Sequence, residues 1–219
     1  MENKSFDRWK RRLLELMYPP RALCVGCGDL SGLESDWLCE TCRKRMDRQW
    51  IGAKHLAKLD GAAIAYVYHG PAGSMVRHLK FSGARVLVEP IVSCMLEAYQ
   101  TIMPTGVQVV VPVPMHPSRQ RIRRYNQTEL LAEELAKRLE LPYQCWLTRV
   151  RNTRQQSSLD VKSRLRNLQN AFQADPLVAG MNVLLVDDVL TTGATAQECA
   201  KTLRGAGARS VFFVAFASG

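Results

Sequence analysis

The chain has 219 residues, 47% of them apolar and 23% charged, with a formal net charge of +10. That length and balance suit one large domain, or one domain and a small module, with room for a sizeable core. No apolar run reaches the roughly 20 residues of a membrane-spanning helix, and a basic excess of this size favours a polyanionic ligand.

The first segment, "MENKSFDRWKRRLLELMYPP" (1–20), lacks the apolar run and small-residue cleavage site of a signal peptide. It reads as an amphipathic helix with Phe6, Trp9, Leu13, Leu16 and Met17 near one face. That face suits packing on the protein's own body better than a membrane surface. Next comes "CVGCGDLSGLESDWLCETC", which spaces Cys24, Cys27, Cys39 and Cys42 as two C-x2-C knuckles eleven residues apart. Each knuckle lets two thiolates converge, and two of them complete a tetrahedral zinc site with no open position, hence a structural one. A redox pair would use a single C-x2-C with a helix behind it. Cys94, Cys145 and Cys199 read as buried free thiols, which fits a reducing cytoplasm.

Residues 43–60 read as a polar joint. Beyond it the pattern predicts a strand over 61–70, a short helix over 71–83 ending at Gly83, and a longer helix over 85–100 with Pro90 in its first turn. The run "VQVVVPVP" (107–114) predicts a buried strand. A helix follows over 125–140, with Asn126 as N-cap and Glu129 completing a capping-box-like pair. Another strand is predicted near 144–149. Residues 150–170 are polar, basic and mobile, with a helical part after Asp160. The chain closes with a strand over 181–188, a helix over 194–207 and a strand over 210–216. Strands alternating with helices predict an α/β fold with a parallel central sheet flanked by helices.

The positive charge is uneven: residues 116–168 hold 12 Arg or Lys against 5 Asp or Glu. Such a stretch suits a nucleic acid or a small ligand with several phosphates, although a solvated basic face would look the same. Sequence-tolerant binding of single strands also wants aromatic platforms, and this stretch offers Tyr125, Tyr143 and Trp146.

The most informative segment is "VLLVDDVLTTGATAQECA" (183–200). In an open α/β sheet, ligands bind beyond the carboxyl ends of strands, and Asp187 and Asp188 sit at such an end. "LTTGAT" then opens a helix whose free N–H groups favour a phosphate. Thr191, Thr192 and Thr195 add hydroxyls, and Gly193 lets the backbone approach closely. Carboxylates beside a phosphate cradle repel that phosphate unless they face a vicinal diol or a Mg²⁺ ion, so the segment suits a ribose 5-phosphate. A P-loop ATPase is excluded because no G-x4-G-K-[ST] string occurs, and "GAGAR" (205–209) follows a helix and is a helix C-cap.

Residues 183–195 resemble the phosphoribosyl diphosphate (PRPP) signature of type I phosphoribosyltransferases. Together with "VPVPMHPSRQRIRRYNQTELLA" (111–132), "RVRNTRQQSSLDVKSRLRNLQNAF" (149–172) and the four-cysteine module, the chain resembles the ComF family of ComFC- and GntX-like competence proteins over nearly its whole length. The resemblance implies an N-terminal helix (1–20), a zinc ribbon-like module (21–45) and a phosphoribosyltransferase-like domain (46–219). It implies that Asp187 and Asp188 take the ribose hydroxyls and that Thr191, Thr192, Gly193, Ala194 and Thr195 take the 5-phosphate, Ala194 standing where a second glycine is usual. The diphosphate loop falls by position at Pro114, Met115, His116 and Arg119, with charge from Arg119, Arg121, Arg123 and Arg124; His116 could be a ligand contact or a turn residue. A lid over the diphosphate falls at 150–168, with Arg151, Arg154, Gln156 and Arg164 as its candidates. Mg²⁺ would arrive with PRPP, held by the ligand's oxygens and water. An acceptor, if one exists, would meet a hood made of 43–105 and the zinc module, where Tyr66, Tyr68 and Phe81 could stack on a base or simply pack in the core. The implied function is PRPP binding in DNA uptake in the cytoplasm, with single-stranded DNA and other competence proteins as partners. The alternative is an active Mg-dependent phosphoribosyltransferase of nucleotide metabolism or salvage.

Overall fold

A computed structural model describes residues 23–29, 37–115, 125–151 and 168–219. Among these, the elements run α1 (Glu40–Asp47), β1 (Trp50–Lys54), β2 (Gly61–Val67), α2 (Gly70–Phe81), α3 (Val88–Thr101), β3 (Val109–Pro112), α4 (Gln127–Arg138), β4 (Leu147–Arg149), β5 (Phe172–Ala174), β6 (Asn182–Leu190), α5 (Ala194–Gly205) and β7 (Ser210–Ser218).

The five-stranded sheet has the order β1-β2-β7-β6-β3. β2, β7, β6 and β3 are parallel, and β1 adds an antiparallel edge. β6 and β7 are apolar on both faces because helices cover both, as parallel strands require. Leu184, Val186, Val214 and Phe216 face α2, α3 and α4. Val183, Leu185, Phe213 and Ala215 face α5 and the small antiparallel pair β4–β5. The fold is thus a mixed α/β sheet between two helical layers. No described helix is long and apolar enough to cross a membrane.

Three expectations are corrected. The joint at 43–60 holds the end of α1 and all of β1. β1 is a short edge strand whose one buried residue is Gly52, so it carries no apolar alternation. β5 was not expected; it lies past the basic stretch and pairs β4 away from the main sheet. Cys199 is buried and Cys94 half-buried, but Cys145 is exposed. It lies just past the single bridge between Val110 and Tyr143 that skirts the free edge of β3.

β6 also continues two residues beyond the acidic pair. Val189 and Leu190 stay in register with Ala217 and Ser218, because β7 itself runs on to Ser218. Pro90 lies in the first turn of α3, and Gly83 takes a φ of +67° just past the end of α2. Asn126 caps α4: its side-chain oxygen accepts from the Thr128 N–H at 3.1 Å, and its amide donates to Glu129 at 2.9 Å.

Candidate functional site

Successive residues of a strand point to opposite faces. Asp188 therefore shares the face of Leu184 and Val186, and the Asp187 carboxylate also comes within reach of α4 on that side, through Thr128. Asp188 is only 4% exposed. Its Oδ2 accepts from Lys80 Nζ at 2.9 Å and from Gln127 Nε2 at 2.9 Å. Asp187 is half-buried, and its Oδ1 accepts from the Asp188 backbone N–H at 2.8 Å and from Thr128 Oγ1 at 3.4 Å. Burial, reinforced by the neighbouring charge of Asp188, pushes the Asp187 carboxyl up to about 7, against the opposing pull of Lys80 and these hydrogen bonds.

The loop behind the acids turns at Gly193, whose φ of +76° is favourable only for glycine. A side chain there would meet Gln197 Nε2 at 3.3 Å and Leu56 Cδ2 at 3.4 Å. Thr191 is exposed, Thr192 and Thr195 are half-buried, and the Ala194 N–H points at Thr192 Oγ1 at 3.4 Å. Ala194 is buried in the α5-side core, so the place usually held by glycine is filled by a methyl that packs with the core. Pro114 and Met115 leave the sheet alongside, since Val113 still donates to the Val186 carbonyl at 2.8 Å.

Cys24, Cys27, Cys39 and Cys42 bring their sulfurs within 4.8 Å of one another. Four thiolates on zinc at 2.3 Å would sit about 3.8 Å apart, and Cys27 Sγ lies 3.8 Å from Cys39 Sγ. The four-cysteine cluster is consistent with a structural metal site. Cys39 is the N-cap of α1, and the backbone N–H of Cys42 is the first cause drawing its thiol down to about 7, while burial pushes the Cys42 thiol up. The cluster is part of the main body: Cys24, Leu38, Cys42 and Met46 share a core with Met75, Val76 and Leu79 of α2, and Ser74 Oγ donates to the Val25 carbonyl at 2.7 Å.

Residues 127–219 match the phosphoribosyl transferase domain. Over 196 residues the chain is 34% identical to the DNA utilization protein YhgH of Escherichia coli K12, covering 87% of this chain and 82% of that protein. It is 29% identical to Competence protein F of Haemophilus influenzae over 217 residues, 86% of this chain and 93% of that one. It is also 29% identical to Competence protein ComFC of Bacillus subtilis over 203 residues, 88% and 82%. The chain belongs to the ComF family.

In this ComF protein, the described part of the site gathers Asp187, Asp188, Thr191, Thr192, Gly193, Ala194 and Thr195 at one end of β6. His116, Arg119, Arg121, Arg123, Arg124, Arg154, Gln156 and Arg164 lie outside the described residues. Arg151 donates to the Gln169 carbonyl at 2.8 Å. Of the aromatic residues, Tyr66 is buried edge-on between Trp50 and Phe216 and belongs to the core. Tyr68, Tyr143 and Trp146 are half-buried against it, whereas Phe81 is 71% exposed. Tyr125 donates its hydroxyl to the Leu79 carbonyl and lies under the Arg85 guanidinium at 5.2 Å. Lys80, Gln127 and Thr128 are the partners that sequence reasoning missed. Nothing in "MVRHLKFSG" marks Lys80 as turned inward, and Gln127 and Thr128 stand out only as the residues after a helix cap.

Proposed function

We propose that this ComF protein binds PRPP with Mg²⁺ at the end of β6 and serves DNA uptake in the cytoplasm, handling single-stranded DNA alongside other competence proteins. The observation that carries the ligand is one juxtaposition: two carboxylates at a strand end, followed at once by a glycine turn into a helix N-terminus. Carboxylates accept from hydroxyls, and helix N–H groups donate to phosphate. A sugar bearing a vicinal diol and a 5-phosphate satisfies both. Asp187 and Asp188 would take the diol, and Thr191 to Thr195 the phosphate. His116, Arg119, Arg123, Arg124 and Arg154 are the candidates for the diphosphate, and Cys24, Cys27, Cys39 and Cys42 for a structural zinc. PRPP supplies an anomeric carbon activated by a diphosphate leaving group, with Mg²⁺ held mainly by the ligand.

The DNA role comes to this chain from the names of its relatives and from the basic stretch 116–168. DNA cannot share the sugar pocket on equal terms. A 2-deoxy sugar leaves one carboxylate unpaired, and the phosphate backbone is repelled by both. A second reading, a Mg-dependent phosphoribosyltransferase acting on a nitrogen acceptor, is favoured by the phosphoribosyl transferase match at 127–219. Its pocket would contribute positioning and charge stabilisation.

Calorimetric titration of PRPP with Mg²⁺ into the wild type and into Asp187→Asn/Asp188→Asn tests the ligand. Saturable binding that the double variant loses is expected; a flat wild-type titration refutes it. Single-stranded DNA binding across a salt series should fall steeply and survive the double variant. Release of diphosphate with a candidate acceptor would favour the second reading.

A further inference from the structure

The Lys80–Asp188 pair asks for an explanation that stability does not give. The Lys80 side chain is 17% exposed and that of Asp188 6%. Taking both charges out of water costs about as much as their attraction returns, so an apolar pair of similar volume often serves the fold as well or better. Lys80 also follows Val76 and Leu79, both fully buried, on a helix that already packs by apolar contact. The geometry is more particular than charge neutralisation needs. Lys80 Nζ and Gln127 Nε2 approach the same oxygen, Oδ2, from two different helices, α2 and α4. Two donors on one oxygen fix the rotation of the carboxylate and turn Oδ1 away from them.

We propose that Lys80 is a positioning residue for the sugar: it holds Oδ2 of Asp188 so that Oδ1 is offered to one ribose hydroxyl, and its charge offsets the repulsion between the adjacent carboxylates. The inference deepens the PRPP reading and rests on it. It makes the two acids unequal. Asp188 is a fixed acceptor braced from α2 and α4, while Asp187 is braced by the Asp188 N–H and the Thr128 hydroxyl. Specificity for a diol over a deoxy sugar then depends on a helix that precedes the matched domain in sequence.

The test titrates PRPP with Mg²⁺ into wild type, Lys80→Met and Lys80→Arg, with melting temperatures measured on the same samples. Loss of a charge-assisted hydrogen bond to the acceptor predicts binding about tenfold weaker in Lys80→Met, with Lys80→Arg restoring it to within about threefold because the positive charge is kept. Restoration by arginine is the readout that loss of packing alone would not give. Undiminished binding by Lys80→Met overturns the inference, as does a loss in Lys80→Arg equal to that in Lys80→Met. Should Lys80→Met fail to fold, Lys80→Arg decides alone: retained affinity supports the role, and a tenfold loss ends it. A wild type that ignores PRPP and Mg²⁺ removes the ligand reading itself, whereas normal wild-type binding with an indifferent Lys80→Met removes only the lysine.

Discussion

Asp187→Asn should make the protein more stable above neutral pH and abolish the PRPP binding proposed above. The Asp187 carboxyl is raised from 3.8 to about 7 in the fold, first by burial and then by Asp188. An acid raised by folding binds its proton more tightly in the native state. Its contribution is complete below about 3.8 and is lost as pH climbs through about 7. That rise sets a ceiling of about 4 kcal/mol. Asp187 is only half-buried, so screening by solvent brings this to about 1–2 kcal/mol. Asparagine keeps an oxygen for the Asp188 N–H and for Thr128 while dropping the charge. For a chain of this length, that gain raises the melting temperature by about 2–8 °C. Thermal unfolding of both proteins at about pH 8.5 and about pH 4 reads the effect, since the variant should gain at the higher pH and little at the lower, near the carboxyl's unfolded value of 3.8. Equal gains at both pH values, or a variant less stable at the higher one, would refute the reasoning. A stabilised variant that no longer binds PRPP is the trade expected where a site holds unfavourable charge for use.

Two further outcomes are expected. Purified protein should carry one zinc per chain by elemental analysis, and chelation or Cys42→Ser should lower the melting temperature, because Cys42 is 7% exposed in the core shared with α2; metal-free protein with an unchanged melt would contradict this. Gly193→Ala should destabilise by about 1–2 kcal/mol through its left-handed backbone and weaken PRPP binding, measured by denaturant unfolding and calorimetry; an unchanged unfolding midpoint would mean the turn relaxes.

What could be read in advance follows the strength of the local signals. The central strands β3, β6 and β7 are continuous apolar runs and admit little else. α4 announces itself through Asn126 and Glu129, although the bond between them uses the asparagine amide instead of its backbone N–H. The acidic pair and the glycine turn are legible because each carries its chemistry within a few consecutive residues, and the four cysteines because each C-x2-C knuckle does. β1 and β5 are not legible: five and three residues long at sheet edges, they are strands only because a partner lies alongside. Lys80 is invisible for a related reason. Its contact with Asp188 depends on α2 delivering its last turn to the end of β6, across 108 positions of sequence, and no spacing rule reaches that far.

α2 is a rigid strut with a different duty at each end. Near its start, Ser74 is fastened to the cysteine knuckle; six residues on, about 9 Å along the axis, Lys80 braces Asp188. A change that slackens the knuckle would therefore be felt at the far end of the same helix, where Lys80 meets Asp188.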